Sequence, residues 1–380
     1  MKNNVIDLLT YTGAYWKGKL YCLARDCNLL FAVDLQNGET ELVDVIPEQD
    51  TLTSFICGIM SVWNDKLIFT PNKEKKIWIY DLVSRQWDSL PIKDHDHIFG
   101  TSAFYQIHLY NTKMFLVGGG FPAIVCLDLE NNSIEYIDNP YKDILTRHPN
   151  PDYLYFWYFG VKSDNKLYFA SCLDNYVLIL NMDTLEYDWI KVGDNDNTYL
   201  GMTYDGNNFW LSPRLGDNII KWDGKKEIVN IPLPSELKKH PEYLWGACYD
   251  GKQIILPATN HQNTILINIE NDSLKIQNQQ YTMFSQLDNG MIVSQTTDGN
   301  LSVQNGDSVH TYKLTVDTDQ LNEFYKKKNL PVFKGQNLYY EGAKNSISSL
   351  ESFLALTKSA SEHKPATEGQ IGKTIWEAIR

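Results

Sequence analysis

Short alternating runs of apolar and polar residues, separated by polar turns, recur along most of the chain. Residues 76–91, KIWIYDLVSRQWDSLP, show the unit: an apolar strand ends in Asp-Leu, a polar turn follows, and a Trp and a Leu-Pro come next. Apolar residues at every second position indicate strands, because successive side chains of a strand point to opposite faces of its sheet. The pattern therefore predicts an all-β protein.

Six strands of similar sequence are each followed, at the same distance, by a short polar side chain. The strands begin at residues 19, 66, 113, 166, 208 and 253, and an Asp or Asn lies fifteen residues after each start. Such a side chain just beyond a strand can bond to the nearby backbone and begin a turn. These six landmark residues are Asp34, Asp81, Asp128, Asn181, Asp223 and Asn268.

The repeat has the size of a propeller blade. A further short strand precedes each of the six, so that each unit holds four strands, and successive units lie 42 to 53 residues apart. Four-stranded units at this spacing are typical of β-propeller blades. A seventh, weaker unit fits residues 283–314. We predict a seven-bladed β-propeller, with six or eight blades as the alternatives.

One unit carries additional features of a known repeat. Residues 114–137, MFLVGGGFPAIVCLDLENNSIEYI, contain a glycine run, a strand that ends in Asp-Leu and a late aromatic residue. In these features the sequence resembles the kelch-type propellers, and the repeat pattern covers about residues 10–316. The resemblance implies a degenerate kelch-like propeller. We expect GGGFP, at 118–122, to form a turn with positive φ angles.

The pattern changes after residue 316 and predicts three parts for the chain. Residues 1–316 form the propeller, in which VIDLL (5–9) is expected to extend the first blade or complete the seventh and so close the ring. Residues 317–358 form an appendage with a helix over 318–329, a hairpin over 331–342 and a second helix that begins near residue 345. Residues 359–380 form a polar linker and a short amphipathic helix.

The last helix carries an apolar stripe that can take either of two roles. It packs back onto the same protein, or it docks in a groove of a partner protein through spaced anchors. The anchor candidates are Ile371, Ile375, Trp376 and Ile379.

Charge and cysteine content narrow the classes of partner. The net charge of −13 opposes nucleic-acid binding, which needs a basic surface. No apolar run approaches the eighteen residues that suggest a membrane span, and the N-terminus lacks the features of a signal peptide. The six cysteines form no CxxC pair, which favours buried thiols in a reducing compartment. We expect a cytoplasmic protein without a cofactor.

Polar candidates for chemistry fall mainly in two kinds of loop. In a propeller, the connections between blades and those between the second and third strands of a blade open on the same face, which we call the loop face. Such loops commonly carry function on a rigid scaffold. The candidates there are His95, Asp96, His97, His148, Arg214, His240 and His261.

These residues leave two classes of function open. Histidines with a carboxylate can bind a metal ion, act as acid and base, or contact a ligand. No catalytic or metal motif of high specificity is present, so the leading hypothesis is a non-enzymatic binding scaffold for a protein or a small ligand. The alternative is a lyase or hydrolase with a histidine-containing site on the loop face, either with or without a metal ion.

Overall fold

The structure is a computed structural model of the chain. It describes residues 5–25, 29–47, 57–72, 75–93, 104–151, 155–235, 237, 246–257, 263–287 and 289–329. The chain divides into two compact units, Met1–Phe333 and Lys334–Arg380, and all the described residues belong to the first.

Seven four-stranded antiparallel sheets form the blades of a β-propeller, in which each blade takes its strands in chain order. The first unit begins with β1 (Val5–Asp7), which lies outside the blades. The strands of blades 1 to 3 are β2 (Thr10–Trp16), β3 (Lys19–Ala24), β4 (Leu30–Asp34) and β5 (Thr40–Asp44); β6 (Cys57–Trp63), β7 (Lys66–Pro71), β8 (Lys76–Asp81) and β9 (Gln86–Pro91); and β10 (Phe104–Tyr110), β11 (Lys113–Gly118), β12 (Ile124–Asp128) and β13 (Ile134–Ile137).

Blade 4 follows a helix, α1 (Asn139–Arg147), and a short helix also follows blade 7. The strands of blades 4 to 7 are β14 (Gly160–Ser163), β15 (Lys166–Ala170), β16 (Tyr176–Asn181) and β17 (Tyr187–Lys191); β18 (Thr198–Tyr204), β19 (Phe209–Leu215), β20 (Asn218–Trp222) and β21 (Glu227–Pro232); β22 (Cys248–Tyr249), β23 (Gln253–Leu256), β24 (Asn263–Asn268) and β25 (Leu274–Asn278); and β26 (Tyr281–Gln286), β27 (Ile292–Thr296), β28 (Asn300–Asn305) and β29 (Ser308–Lys313). The chain then forms β30 (Thr315–Asp317) and α2 (Thr318–Lys327). The predicted all-β propeller of seven blades is thus confirmed.

The landmark residues form the turns that the sequence predicts. The Asp81 carboxylate accepts hydrogen bonds from the backbone N–H groups of Val83 and Ser84, at 3.0 and 2.7 Å. These bonds to the charged carboxylate lower the pKa of Asp81. The side chains of the other five landmarks likewise accept from the backbone two or three residues ahead.

Apolar packing between blades supplies the core. Within the described residues, six apolar clusters each join two neighbouring blades, including the pair formed by blades 7 and 1. Trp157, Trp210 and Trp222 are almost completely buried in these layers. Most of the large aromatic side chains therefore stabilise the ring.

The ring closes through a separate two-stranded ribbon. Strand β1 pairs antiparallel with β30, and Leu8 N–H donates to Leu314 C=O at 3.0 Å. The buried Gln295 side chain accepts from Thr10 N–H at 2.7 Å and donates to Leu8 C=O at 2.9 Å. VIDLL therefore joins neither the first nor the seventh blade, in contrast to the expectation from its sequence.

Helix α2 confirms the first element predicted for the appendage. Its N-cap, Asp317, accepts from Asp319 N–H and Gln320 N–H, and Leu321 and Tyr325 are buried in the apolar cluster of blades 7 and 1. The predicted hairpin at 331–342, the helix near residue 345 and the segment 359–380 lie outside the described residues. Neither α1 nor α2 is long and apolar enough to span a membrane.

Two features near residues 118–147 differ from the expectations. Neither Gly118 nor Gly119 has a positive φ; a Cβ at Gly118 would lie 2.0 Å from Phe121 C=O, and one at Gly119 would lie 2.3 Å from the Tyr105 ring. Close packing, and not a left-handed turn, requires these glycines. The second feature is α1, whose Tyr141 is buried and donates to Gly118 C=O at 2.8 Å. Sequence analysis treated this connection as a loop.

Candidate functional site

A central channel of about 460 Å³ runs between the innermost strands of the blades. Its described lining comes from all seven blades, and each innermost strand pairs within its sheet with one strand, while β18 also makes an isolated bridge from Gly201 to Phe159. The other edge of each strand carries backbone N–H and C=O groups. Protein groups satisfy some of them, such as Gly160 N–H and Met202 N–H, and water or a ligand can satisfy the others. The volume lies in the range of small-molecule sites.

A cluster of aromatic side chains lies beside the channel where blade 3 meets the segment before blade 4. The rings of Tyr105, Tyr155 and Tyr158 lie 4.6 to 5.2 Å apart in tilted and T-shaped pairs. Phe159 packs over Gly201 and Gly246, where an added Cβ would lie 3.0 Å and 3.2 Å from its side chain. Tyr105 and Phe159 also line the channel. Glycine in two neighbouring blades thus lets one aromatic ring lie across the wall.

A glutamine fixes the polar part of the wall between blades 3 and 4. Gln106 Nε2 donates to Tyr158 C=O at 2.5 Å, and its Oε1 accepts from Gly160 N–H at 2.7 Å. The two backbone groups are a fixed acceptor and a fixed donor, so they determine the orientation of the amide. Gln106 Oε1 also lies 2.9 Å from His108 Nε2.

His108 lines the channel as a neutral imidazole. Burial of the ring, with a smaller effect of the nearby Lys162 ammonium, lowers the pKa of His108 to about 3. Because the oxygen of Gln106 can only accept, His108 Nε2 carries the proton and Nδ1 is a hydrogen-bond acceptor. Lys162 lies on the innermost strand of the next blade, β14, and its ammonium donates to Leu109 C=O at 2.8 Å.

The structure places two of the predicted loop-face residues against the same segment, 171–175, which joins β15 to β16. His148 follows the end of α1, and its Nε2 lies 3.3 Å from Asp174 Oδ2. Arg214 is buried, and its Nη1 donates to Cys172 C=O at 3.0 Å. Neither residue lies among those that line the channel.

Arg147 competes with His148 for the same carboxylate. Its Nε donates to Asp174 Oδ2 at 2.8 Å, and its guanidinium lies 4.4 Å from the ring centre of Trp189 and 4.8 Å from that of Tyr176. An ion pair held between two aromatic rings fixes the geometry of both partners. The arrangement therefore anchors the end of α1 to blade 4.

The remaining predicted site residues are not tested. His95, Asp96, His97, His240 and His261 lie outside the described residues, as do the docking candidates Ile371, Ile375, Trp376 and Ile379. Among the described His, Cys, Asp and Glu side chains, no group of three is arranged to hold a metal ion.

Sequence analysis missed the channel residues Gln106, His108 and Lys162. The sequence indicates the first two only weakly. Gln106 and His108 are polar residues two positions apart in the innermost strand of blade 3, where other blades have apolar or small residues. Burial raises the pKa of the Cys126 thiol to about 11 and those of Cys22 and Cys248 to about 12, and it also raises that of Cys172, so these four cysteines offer no reactive thiolate.

Comparison with known proteins supports the fold. No protein-family model matches the sequence, and no curated protein matches it, so the kelch resemblance stays a prediction. A streptogramin B lyase structure is similar over 76% of this chain and 91% of its own, with 16% identity and a TM-score of 0.54. A catalytically inactive virginiamycin B lyase from Staphylococcus aureus with quinupristin is similar over 78% of this chain and 94% of its own, with 14% identity and a TM-score of 0.57.

A chain of a different kind has the same architecture. A protein chain from a mitotic checkpoint complex is similar over 79% of this chain and 90% of its own length, with 11% identity and a TM-score of 0.55. Enzymes and a protein of a multiprotein complex thus share this fold, and likeness at these identities shows the fold alone. The class that fold and channel define is the seven-bladed β-propeller.

Proposed function

We propose that this propeller is a non-enzymatic binding protein that takes a small ligand into its central channel from the loop face. The observation that carries the proposal is the channel itself, which has about 460 Å³ of space and is lined by the edges of seven innermost strands. Rigid strands hold its polar groups in place, which reduces the ordering cost of binding.

The aromatic side chains beside the channel also support ligand binding. Tyr105, Tyr155 and Phe159 are only partly buried although they are large, and they lie beside the channel on well-packed blades. Aromatic rings of this kind contribute contact area with little loss of conformational entropy. We also propose that the protein is cytoplasmic, and the buried free thiols of Cys22, Cys126, Cys172 and Cys248 support this proposal.

A channel-filling variant tests the proposal. Ligands are first found by thermal shift against a library of small metabolites, and their affinities are measured by calorimetry. Ser285→Trp places a large ring in the channel wall of blade 7, where Ser285 is partly exposed. We expect affinity to fall at least tenfold. Val309→Trp is the matched control, because Val309 lies on the outermost strand of the same blade and is 59% exposed.

The variants also separate binding from catalysis. If Ser285→Trp does not fold, Ser285→Phe introduces a smaller ring at the same place. Unchanged affinity in a folded channel variant contradicts the channel site. Conversion of the bound ligand to a product by the unmodified protein replaces the proposal with the lyase or hydrolase alternative.

A further inference from the structure

The charge of the channel wall restricts the ligand. Among the described lining residues, Lys162 carries the one formal charge and no Asp or Glu is present. This contrasts with the protein as a whole, whose net charge is −13. The Lys162 ammonium is solvent-exposed at this wall, where a cation attracts an anion and repels another cation. The wall therefore favours a ligand that is neutral or carries a single negative charge.

The tautomer of His108 adds a requirement for a donor. The backbone of Tyr158 and Gly160 fixes the Gln106 amide, and the amide oxygen fixes the proton on His108 Nε2. Nδ1 is left as an acceptor, and no hydrogen bond from a described protein group to it is present. A ligand that occupies this part of the channel satisfies Nδ1 best with a hydroxyl or an N–H group.

Lys162 supplies the complementary group. An ammonium has three donors, and one of them is directed to Leu109 C=O at 2.8 Å. The other donors can bind a carboxylate. His108 and Lys162 lie on the innermost strands of adjacent blades and both line the channel, and the Lys162 ammonium is bonded to the carbonyl of Leu109, the residue that follows His108. One ligand can therefore contact both side chains.

The rest of the wall suits a ligand with many hydroxyl groups. Its other polar side chains are uncharged, as at Thr203, Ser285 and Asn289, and Tyr15 and Tyr204 contribute aromatic rings. Together with the inner edges of the strands, these groups offer both donors and acceptors for hydroxyls.

We infer that the channel binds a polyhydroxylated monocarboxylate, a sugar acid of one or two rings, whose hydroxyl donates to His108 Nδ1 and whose carboxylate accepts from Lys162. The inference rests on the proposed channel-binding function and names its ligand class.

Four commercial probes test the class by isothermal calorimetry on the full chain. Glucuronate and lactobionate carry both hydroxyl groups and a carboxylate, glucose carries hydroxyl groups alone, and hexanoate carries a carboxylate alone. We expect at least one of the two sugar acids to bind at least tenfold more tightly than glucose and hexanoate. Equal affinities for all four probes overturn the inference.

Paired substitutions test the two contacts. His108→Gln places an amide near the position of Nε2 and removes the Nδ1 acceptor, whereas His108→Asn places an amide oxygen near Nδ1. We expect His108→Gln to weaken sugar-acid binding at least tenfold, and His108→Asn to retain most of it. Lys162→Met should remove the preference for the acid over glucose, and Lys162→Arg should keep it.

The control and the outcomes distinguish this inference from the proposed function. Lys166→Met removes an exposed lysine of the same blade that does not line the channel, and we expect unchanged binding. If a ligand is lost in Ser285→Trp but binds normally to His108→Gln and Lys162→Met, this inference is wrong and the binding function stands. If no probe and no library compound binds in the channel, both are wrong.

Discussion

Two buried glutamines make the same pair of hydrogen bonds at different places in the ring. Gln295 joins blade 7 to the segment before blade 1, where it contacts Thr10 N–H and Leu8 C=O. Gln106 joins blade 3 to the segment before blade 4, where it contacts Gly160 N–H and Tyr158 C=O. In each case the two backbone partners are two residues apart. A side-chain amide thus bridges neighbouring blades twice.

The two glutamines differ in their burial and in the further contacts of their amide groups. Gln295 is fully buried and joins segments 285 residues apart in the sequence. Gln106 is 6% exposed and also accepts from His108, which lines the channel. The same pair of amide hydrogen bonds helps to close the ring at Gln295 and orients the channel residue His108 at Gln106. Disruption of Gln295 should therefore act mainly on stability, and disruption of Gln106 on stability and binding together.

Deletion of residues 1–10 should have the largest effect on stability. It removes β1, the apolar contact of Leu8 and both backbone partners of Gln295. We expect a loss of cooperative folding or a fall in melting temperature of more than about 10 °C, since each 1 kcal/mol shifts a large domain by about 2–4 °C. A variant that lacks only residues 1–4 is the control. An unchanged melting temperature after the longer deletion shows that the ribbon is dispensable.

Gln295→Met should be the next most damaging change. It keeps the approximate volume of the side chain and leaves Thr10 N–H and Leu8 C=O without this buried partner. Each orphaned group costs about 1–3 kcal/mol, so the free energy of unfolding should fall by roughly 2–5 kcal/mol. Chemical denaturation measures this loss. A change below about 1 kcal/mol would mean that the ribbon closes the ring unaided.

Gln106→Met should lower the free energy of unfolding less than Gln295→Met does, and it should weaken ligand binding more. Gly160 is partly exposed beside the channel, where water can replace the amide, so we expect a loss nearer to about 1–2 kcal/mol. His108 loses the acceptor that fixes its tautomer, so the affinity for a channel ligand should also fall. Equal stability losses for Gln106→Met and Gln295→Met contradict the distinction between the two sites.

The pH dependence of stability should show the smallest effect. Burial, and secondarily Lys162, lowers the pKa of His108 to about 3, below the ordinary value of about 6.5. Below pH 6.5 the unfolded chain therefore binds a proton that the folded protein does not, and stability falls with falling pH. One such group gives at most about 1.4 kcal/mol per pH unit.

Denaturation at pH 7.0 and 5.5 measures this slope. His108→Gln should reduce it, whereas His310→Gln, at an exposed position on the outer strand of blade 7, should leave it unchanged. Equal slopes for the two variants contradict the assignment to His108.

The repeat is predictable because its cause is local. Asp81 and its equivalents bond to backbone groups two or three residues away, so a fixed interval in the sequence corresponds to a fixed structure. Ring closure is different. Nothing near VIDLL indicates that its partner is β30, because that pairing depends on residues more than 300 positions away. Alternation of apolar and polar residues predicts a strand but does not identify the strand with which it pairs.

The site is less predictable for the same reason. His148 and Arg214 were selected as loop residues, and the structure brings both to the segment 171–175. The role of His108 depends on Tyr158 and Gly160, which belong to the next blade and act through Gln106. A chain of hydrogen bonds between blades does not correspond to any fixed spacing in the sequence. The sequence shows which side chains can bond, and the assembled ring determines which do.

The closing ribbon also has a consequence for protein synthesis. Strand β1 leaves the ribosome before the seven blades, yet its partner strand β30 is made some 310 residues later. At about 5–20 residues per second, the N-terminal strand waits roughly 15–60 s before pairing is possible. During that time Leu8, nearly fully buried in the finished ring, lacks the side chains of blade 7 and β30 that complete its apolar cluster. The nascent chain thus carries this unpaired strand until after its last blade has been made, which is the period when a chaperone has most to protect.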